Sequence, residues 1–248
     1  MKEAREGFKE GVRLGNETVD VLLFADDMVL VADSEESLQV NLKKLDETLT
    51  KWEMRMNWSK TEVMKVGRER GHCCVEVGDR KLESVEVAKY LGIMISGDGR
   101  MEEEIRSRIG KAAKVIGVLN EPVWKQKELS RKTKMKVYNA IVVPTLVYGS
   151  ETWVLNKHQE SAIQATEMRV LRRIAGKRRV DRARNVDIRE KLKQEGVLEK
   201  VRRRQVSWRE ALAEMGPERL VRRVYEAEME GRRGRGRPRK KWIDNFKQ

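Results

Sequence analysis

The chain has 248 residues, 39% of them apolar and 38% charged, with a formal net charge of +14. That length suits one large domain or two small ones, and the apolar share supports a packed core. No run approaches the roughly 18 apolar residues of a membrane helix, which excludes a membrane partner of that kind, and the two cysteines, Cys73 and Cys74, are neighbours, which excludes a disulfide framework.

In chain order, Met1 to Glu10 is charged and lacks the apolar segment of a signal peptide. With unpaired cysteines, this points to an intracellular setting. Val19 to Phe24 and Met28 to Ala32 are short runs rich in Val and Leu, with Ala25-Asp26-Asp27 between them. That pattern predicts a tight β-hairpin with two carboxylates at its tip. Ser34 followed by Glu35 and Glu36 marks a helix start. Leu38, Leu42, Leu45, Leu49 and Trp52 form one stripe, so a helix is expected from about 35 to 54, packed on the hairpin. Val63 to Val66, Cys74 to Val77, Arg80 to Leu82 and Tyr90 to Ile95 read as strands, with a turn at Gly78-Asp79.

Ile105, Ile109, Ala112, Ile116 and Leu119 predict a helix over 101–119. Further helices are expected over 128–143, 156–175, 186–194, 198–215 and 217–230, punctuated by Pro144, Gly149 and Gly216-Pro217. Gly231 to Lys241 is rich in Gly and Arg and reads as a flexible basic arm. His72-Cys73-Cys74 has neither the spacing nor the second pair that a zinc site needs.

Asp26 and Asp27 carry the most chemistry. Nucleotidyl transfer uses two divalent ions about 3.5–4 Å apart to hold the attacking and leaving oxygens. Mg²⁺ takes hard oxygen ligands, commonly one or two carboxylates plus substrate phosphates. A bare Asp-Asp pair is more often a solvated turn. Here it follows an aromatic and a small residue, Phe24-Ala25, and lies between two apolar strands. Asn57, Lys60-Thr61 and Met64 follow, then Tyr90-Leu91-Gly92, then Tyr148-Gly149-Ser150-Glu151-Thr152-Trp153.

On these motifs, in this order, the chain resembles the reverse transcriptases of non-LTR (LINE-type) retrotransposons from about residue 11 to 246. The resemblance implies an α+β fold: a partial palm of β-hairpins packed on a helix in residues 1–98, thumb-like helices in 99–155, a basic helical region in 156–230 and a basic tail in 231–248. It implies metal binding by Asp26 and Asp27, with two Mg²⁺ ions in a complete site. It implies proton donation to the leaving pyrophosphate by Lys60, and a primer-grip hairpin at Tyr90, Leu91 and Gly92. An RNA template and a DNA primer or target are the implied partners. The family's palm has an earlier metal-binding Asp, whereas only 25 residues precede Asp26 and Asp20 lies too close to fill that role. The expectation is a fragment of an RNA-directed DNA polymerase that lacks the fingers and first half of the palm and does not polymerise alone.

The alternative is a non-catalytic nucleic-acid-binding protein that works through its basic end, and a third reading is an inert relic. Residues 1–166 hold 27 Lys/Arg and 27 Asp/Glu, whereas residues 167–248 hold 27 and 13, so the whole excess sits in the last third. Arg169, Arg172, Arg173, Lys177, Arg178 and Arg179 form one cluster and Arg202, Arg203 and Arg204 another. The third runs from Arg232 to Lys241 and includes Arg235, Arg237, Arg239 and Lys240. Such clusters bind phosphates in a salt-dependent, sequence-independent way. Gly234 to Lys241 also resembles an AT-hook, which lays Arg in the minor groove of A·T-rich DNA; phosphate binding or a nuclear-import signal is the preferred reading. Trp208 and Trp242 lie near these clusters, and core packing is preferred over base stacking for both.

Overall fold

A computed structural model of the chain describes Phe8 and residues 11–67, 71–227 and 239–246. The chain mixes helix and strand, as an α+β protein does. It divides into two compact units, Met1–Arg100 with Leu212–Pro238, and Met101–Ala211 with Arg239–Gln248.

The first unit holds the strands β1 (Val12–Leu14), β2 (Glu17–Val19), β3 (Val21–Phe24), β4 (Asp27–Leu30), β5 (Glu62–Val63), β6 (Glu76–Val77), β7 (Arg80–Lys81), β8 (Glu83–Ser84), β9 (Val87–Tyr90) and β10 (Ile93–Ser96). They pair two by two: β1–β2, β3–β4, β6–β7 and β9–β10 are antiparallel, and β5–β8 is parallel. Two-stranded pieces are marginal alone and need covering. The helix α1 (Glu35–Lys51) packs against residues of β4, β5 and β6. The Ser34 hydroxyl caps it by accepting from the Ser37 N–H at 3.1 Å, with Glu35 and Glu36 in the first turn. The α1 stripe buries Leu42 with Val63, Cys73, Val75, Val77 and Leu82, and Leu30 of β4 packs at the edge.

Polar side chains of α1 also satisfy backbone groups of the neighbouring edge. The Cys74 N–H donates to Glu35 at 2.9 Å, the Glu76 N–H donates to Gln39 Oε1 at 2.8 Å, and Gln39 Nε2 donates back to the Glu76 carbonyl. These bonds account for a strand edge that no other strand covers.

Two expectations need correction here. Tyr90 to Ile95 is a hairpin rather than one strand, because the chain reverses at Leu91-Gly92. The helix after the carboxylate hairpin stops at Lys51, not 54. Glu53 takes a left-handed backbone (φ 56°), and its N–H donates to the Thr50 carbonyl while Met54 N–H donates to Leu49, a Schellman closure.

The second unit is helical over its described residues: α2 (Glu102–Val118), α3 (Arg131–Val137), α4 (Val143–Leu146), α5 (Lys157–Ala175), α6 (Asn185–Leu192) and α7 (Val197–Glu214), whose end enters the first unit with the short α8 (Leu220–Glu226). One core unites it, including Ile105, Ile116, Tyr138, Leu146, Trp153, Ile163, Leu171, Ile188 and Val197. The helix expected to end at 143 continues through Pro144. A π-helical turn, Tyr138–Val142, joins α3 to α4, with the Val143 N–H on the Tyr138 carbonyl. Proline clashes with the carbonyl four residues back, and a wider turn just before it makes room for the ring.

Two carboxylates are wholly buried in this unit. Glu104 pairs with Arg108 at 2.6 Å, and the Arg108 guanidinium lies 4.7 Å over the Tyr148 ring. Glu167 on α5 accepts from Arg189 of α6 at 2.5 Å and from the Val197 N–H of α7 at 2.9 Å. Burial pushes the Glu167 carboxyl above the usual range, against the opposing pull of Arg189 and the Val197 N–H.

Removing one partner of a buried ion pair strands the other charge. Glu167→Ala therefore lowers unfolding free energy by about 3–5 kcal/mol in urea titration; a loss below about 1 kcal/mol contradicts this role. Gly97 sits where its N–H meets the Glu86 carbonyl and its own carbonyl takes the Gly67 N–H, and a Cβ there runs into the Lys65 carbonyl. Gly97→Ala therefore destabilises the first unit by about 1–3 kcal/mol by overpacking, read by the same titration.

Candidate functional site

The β3–β4 hairpin pairs Val21 with Leu30, Leu22 with Val29, Leu23 with Met28 and Phe24 with Asp27. Ala25 and Asp26 alone make the turn, and Asp27 opens β4. Two-residue hairpin loops need positive φ in the first position, which usually selects glycine. Here Ala25 holds φ 52°. A non-glycine residue in that region is strained, and such strain concentrates at functional sites. Both carboxylates are exposed. The strand beside them is open too, with Phe24 61% and Leu23 49% exposed.

The donor chemistry suits a hard divalent cation, since both side chains supply carboxylate oxygens. The donor number does not suit two ions. Among the described residues, no group of three His, Cys, Asp or Glu side chains is placed to hold a metal.

Lys60 ends a single 3₁₀ turn, Trp58–Lys60, and is exposed. Asn57 organises this turn: its carbonyl accepts from the Lys60 N–H and the Thr61 hydroxyl, both at 3.0 Å, and its Oδ1 accepts from Ser59 at 2.8 Å. Tyr90 faces Ile93 across the β9–β10 hairpin, and Leu91 and Gly92 form its loop with φ 47° and 81°. Two positive φ values mark a type I′ turn. Thus the hairpin at Asp26 and the hairpin at Tyr90 both put a non-glycine residue in the strained first loop position. The fold gathers Asp26, Asp27, Lys60 and Tyr90 in one unit, and no hydrogen bond or ion pair joins their side chains.

The basic residues fall into distinct settings. Arg172 and Arg173 end α5, and Lys177, Arg178 and Arg179 follow it. With Arg169 they line an open groove of about 650 Å³, alongside Ser161, Gln164, Ala165, Met168 and Asn185. Arg202, Arg203 and Arg204 are exposed on α7, but Arg203 pairs with Glu195 at 2.9 Å and Arg204 with Glu151 at 2.6 Å. Arg239, Lys240 and Lys241 are exposed, whereas Arg235 and Arg237 lie outside the described residues.

The sequence offered no signal for the groove's uncharged lining, in which Ser161, Gln164, Ala165 and Met168 lie on α5 and Asn185 opens α6. Nor did it reveal the docking of Trp242–Phe246. Trp242 Nε1 donates to the Glu151 carbonyl at 2.6 Å, Asn245 donates to Trp153 at 3.0 Å, and Arg209 lies 4.7 Å over the Phe246 ring. Trp242 is thus engaged in packing and hydrogen bonding.

The sequence profile of the reverse transcriptase (RNA-dependent DNA polymerase) family matches residues 1–95, the stretch that contains both strained hairpins. A transposon-derived protein of Caenorhabditis elegans is 28% identical over 170 residues, covering 66% of this chain and 60% of that protein. The RNA-directed DNA polymerase from mobile element jockey of Drosophila melanogaster is 23% identical over 175 residues, covering 64% of this chain and 18% of that protein. Its counterpart in Drosophila funebris is 23% identical over 229 residues, covering 89% of this chain and 25% of that protein. The chain therefore spans between about a fifth and three-fifths of the length of these relatives. No solved structure matches it significantly.

Proposed function

We propose, on the premise that residues 1–95 belong to the reverse transcriptase family in its non-LTR retrotransposon form, that this chain is a segment of an RNA-directed DNA polymerase in which the β3–β4 hairpin supplies carboxylates for nucleotidyl transfer. The observation that carries this reading is the strained, solvent-open turn at Ala25 with Asp26 and Asp27 beside it, inside the family-matched stretch. A match that falls on this hairpin does not favour a purely non-catalytic binding protein.

In this reading Asp26 and Asp27 hold a divalent cation, Mg²⁺ by its preference for carboxylate oxygens. Lys60 donates a proton to the leaving pyrophosphate, and Tyr90, Leu91 and Gly92 position the primer end. RNA template and DNA primer are the substrates. Residues 1–98 form the partial palm, 99–155 the thumb-like part and 156–230 the basic helical part. The half-buried Arg172 and the exposed cations Arg173, Lys177, Arg178, Arg179, Arg202, Arg239, Lys240 and Lys241 contact nucleic acid. Among the described residues two carboxylates fall short of what two ions require, so in this reading they form half of the catalytic centre.

The test is primer extension joined to cation titration. The purified chain gives no Mg²⁺-dependent extension of a primed RNA template, and it binds Mg²⁺ weakly through a site that Asp26→Asn/Asp27→Asn removes. Extension by the chain alone, abolished by Asp26→Asn, contradicts the half-site. Mg²⁺ binding that survives the double substitution contradicts the assignment of the carboxylates.

A further inference from the structure

The end of α5 is built to turn the chain back on itself. Gly176 adopts φ 69°, its N–H donates to the Arg173 carbonyl at 3.1 Å, and the Lys177 N–H donates to the Arg172 carbonyl at 2.8 Å. This Schellman closure needs a left-handed residue, which glycine supplies without strain. The reversal brings Lys177, Arg178 and Arg179 against the same helix face that carries Ser161, Gln164, Ala165, Met168, Arg169, Arg172 and Arg173. Those seven positions recur at intervals of three and four, which places them along one side of α5.

The charge in the resulting groove is uncompensated. Its lining includes six cations and no carboxylate. Elsewhere in the unit Arg106, Arg108, Arg184, Arg189, Arg203 and Arg204 each have a carboxylate partner. In the groove the hydrogen-bond partners of Arg172 and Arg173 are neutral. Arg172 Nη2 donates to Asn185 Oδ1 at 2.7 Å and to the Ala183 carbonyl at 3.4 Å, and Arg173 Nη1 donates to Asn120 Oδ1 at 2.8 Å. Neutral oxygens fix a guanidinium's direction and leave its charge intact. Asp181, two residues beyond Arg179, accepts the Arg178 backbone N–H at 2.8 Å.

A helix C-terminus attracts cations within its last turn, which accounts for Arg172 and Arg173. It does not account for Arg169 a turn earlier or for the three cations that return from beyond the helix. Pockets for small metabolites are mostly apolar. In this one the charged groups are six side-chain cations, whose stems supply much of the lining beside the exposed Ala165.

We propose that this groove seats the sugar-phosphate backbone of a nucleic-acid strand, with Arg169, Arg178 and Arg179 on phosphates and the uncharged Ser161 and Gln164 facing sugar and phosphate oxygens. RNA and DNA share that chemistry. The inference deepens the nucleic-acid side of the proposed function, rests on that reading, and is independent of the carboxylate hairpin.

The test uses the full chain and fluorescence anisotropy across a salt series, with single-stranded RNA and single-stranded DNA of about 20 nucleotides and the RNA–DNA duplex of the same sequence. Arg169→Gln/Arg178→Gln/Arg179→Gln lowers the slope of log affinity against log salt by about two to three and weakens binding by about tenfold or more near 0.15 M salt. The control Lys127→Gln/Lys132→Gln/Lys136→Gln removes the same charge from exposed positions away from the groove and changes affinity less than about threefold. Arg169→Gln alone, at an exposed helix position, lowers the slope by about one and serves where the triple variant melts early. The strand type most weakened by the groove substitutions is the one the groove holds. Equal losses in the two triple variants reduce the effect to net charge and overturn the groove. Unaltered binding by Arg169→Gln and the groove triple overturns it while leaving nucleic-acid binding in place. Failure of the unsubstituted chain to bind any of the three probes overturns both.

Discussion

The second unit is organised by one buried carboxylate. Glu167 is fully enclosed and takes hydrogen bonds from Arg189 on α6 and from the first N–H of α7, so a single side chain ties three helices together. Such a group is costly to bury and can be kept only when its hydrogen bonds are complete. Because Glu167 must point inward, the rotation of α5 is settled. Val170, Leu171 and Ile174 turn inward with it, and Arg169 and Arg173 are left on the outside. The external arrangement of arginines is thus a consequence of an internal ion pair.

Once that rotation is set, the sign of each face depends on which cations find acids. Around α2, α6 and α7 they do: Arg108 and Arg184 pair with acids one turn away, and Arg189 and Arg204 reach Glu167 and Glu151 on other elements. Around the end of α5 they meet amide and carbonyl oxygens instead. The excess positive charge of the chain is therefore not spread evenly over a solvated surface. Part of it is gathered and oriented, which is what recognition of a polyanion requires. The first unit shows the opposite sign at its exposed turn, where Asp26 and Asp27 stand on a two-residue loop.

Much of this was legible in the sequence, for local reasons. Two Val/Leu runs around Asp26-Asp27 could pair in one way only, and Ser34 with two acids and a leucine stripe specifies a helix and its start. The reversal at Leu91-Gly92 was legible only through the family resemblance; the residue pattern hides it, since Leu91 continues the apolar run and sits at a positive φ that leucine rarely adopts. Pro144 suggested a stop because the wider turn that admits it leaves no mark in the residues before it. The groove was half legible. Its cations are clustered in sequence, but Ser161 and Asn185 join them only after α5 forms and the chain reverses at Gly176. The docking of Trp242 on Glu151 joins residues 91 positions apart, and no periodic pattern reports such a pairing.

The proposed seat for a nucleic-acid backbone is the arginine groove of α5. Ultraviolet cross-linking of the full chain to single-stranded RNA and DNA, followed by mass-spectrometric mapping of the adducts, tests it most directly. Adducts are expected on peptides within residues 161–185, lost when excess unlabelled strand or high salt is present. Adducts confined to other parts of the chain, with none in that segment, would contradict it.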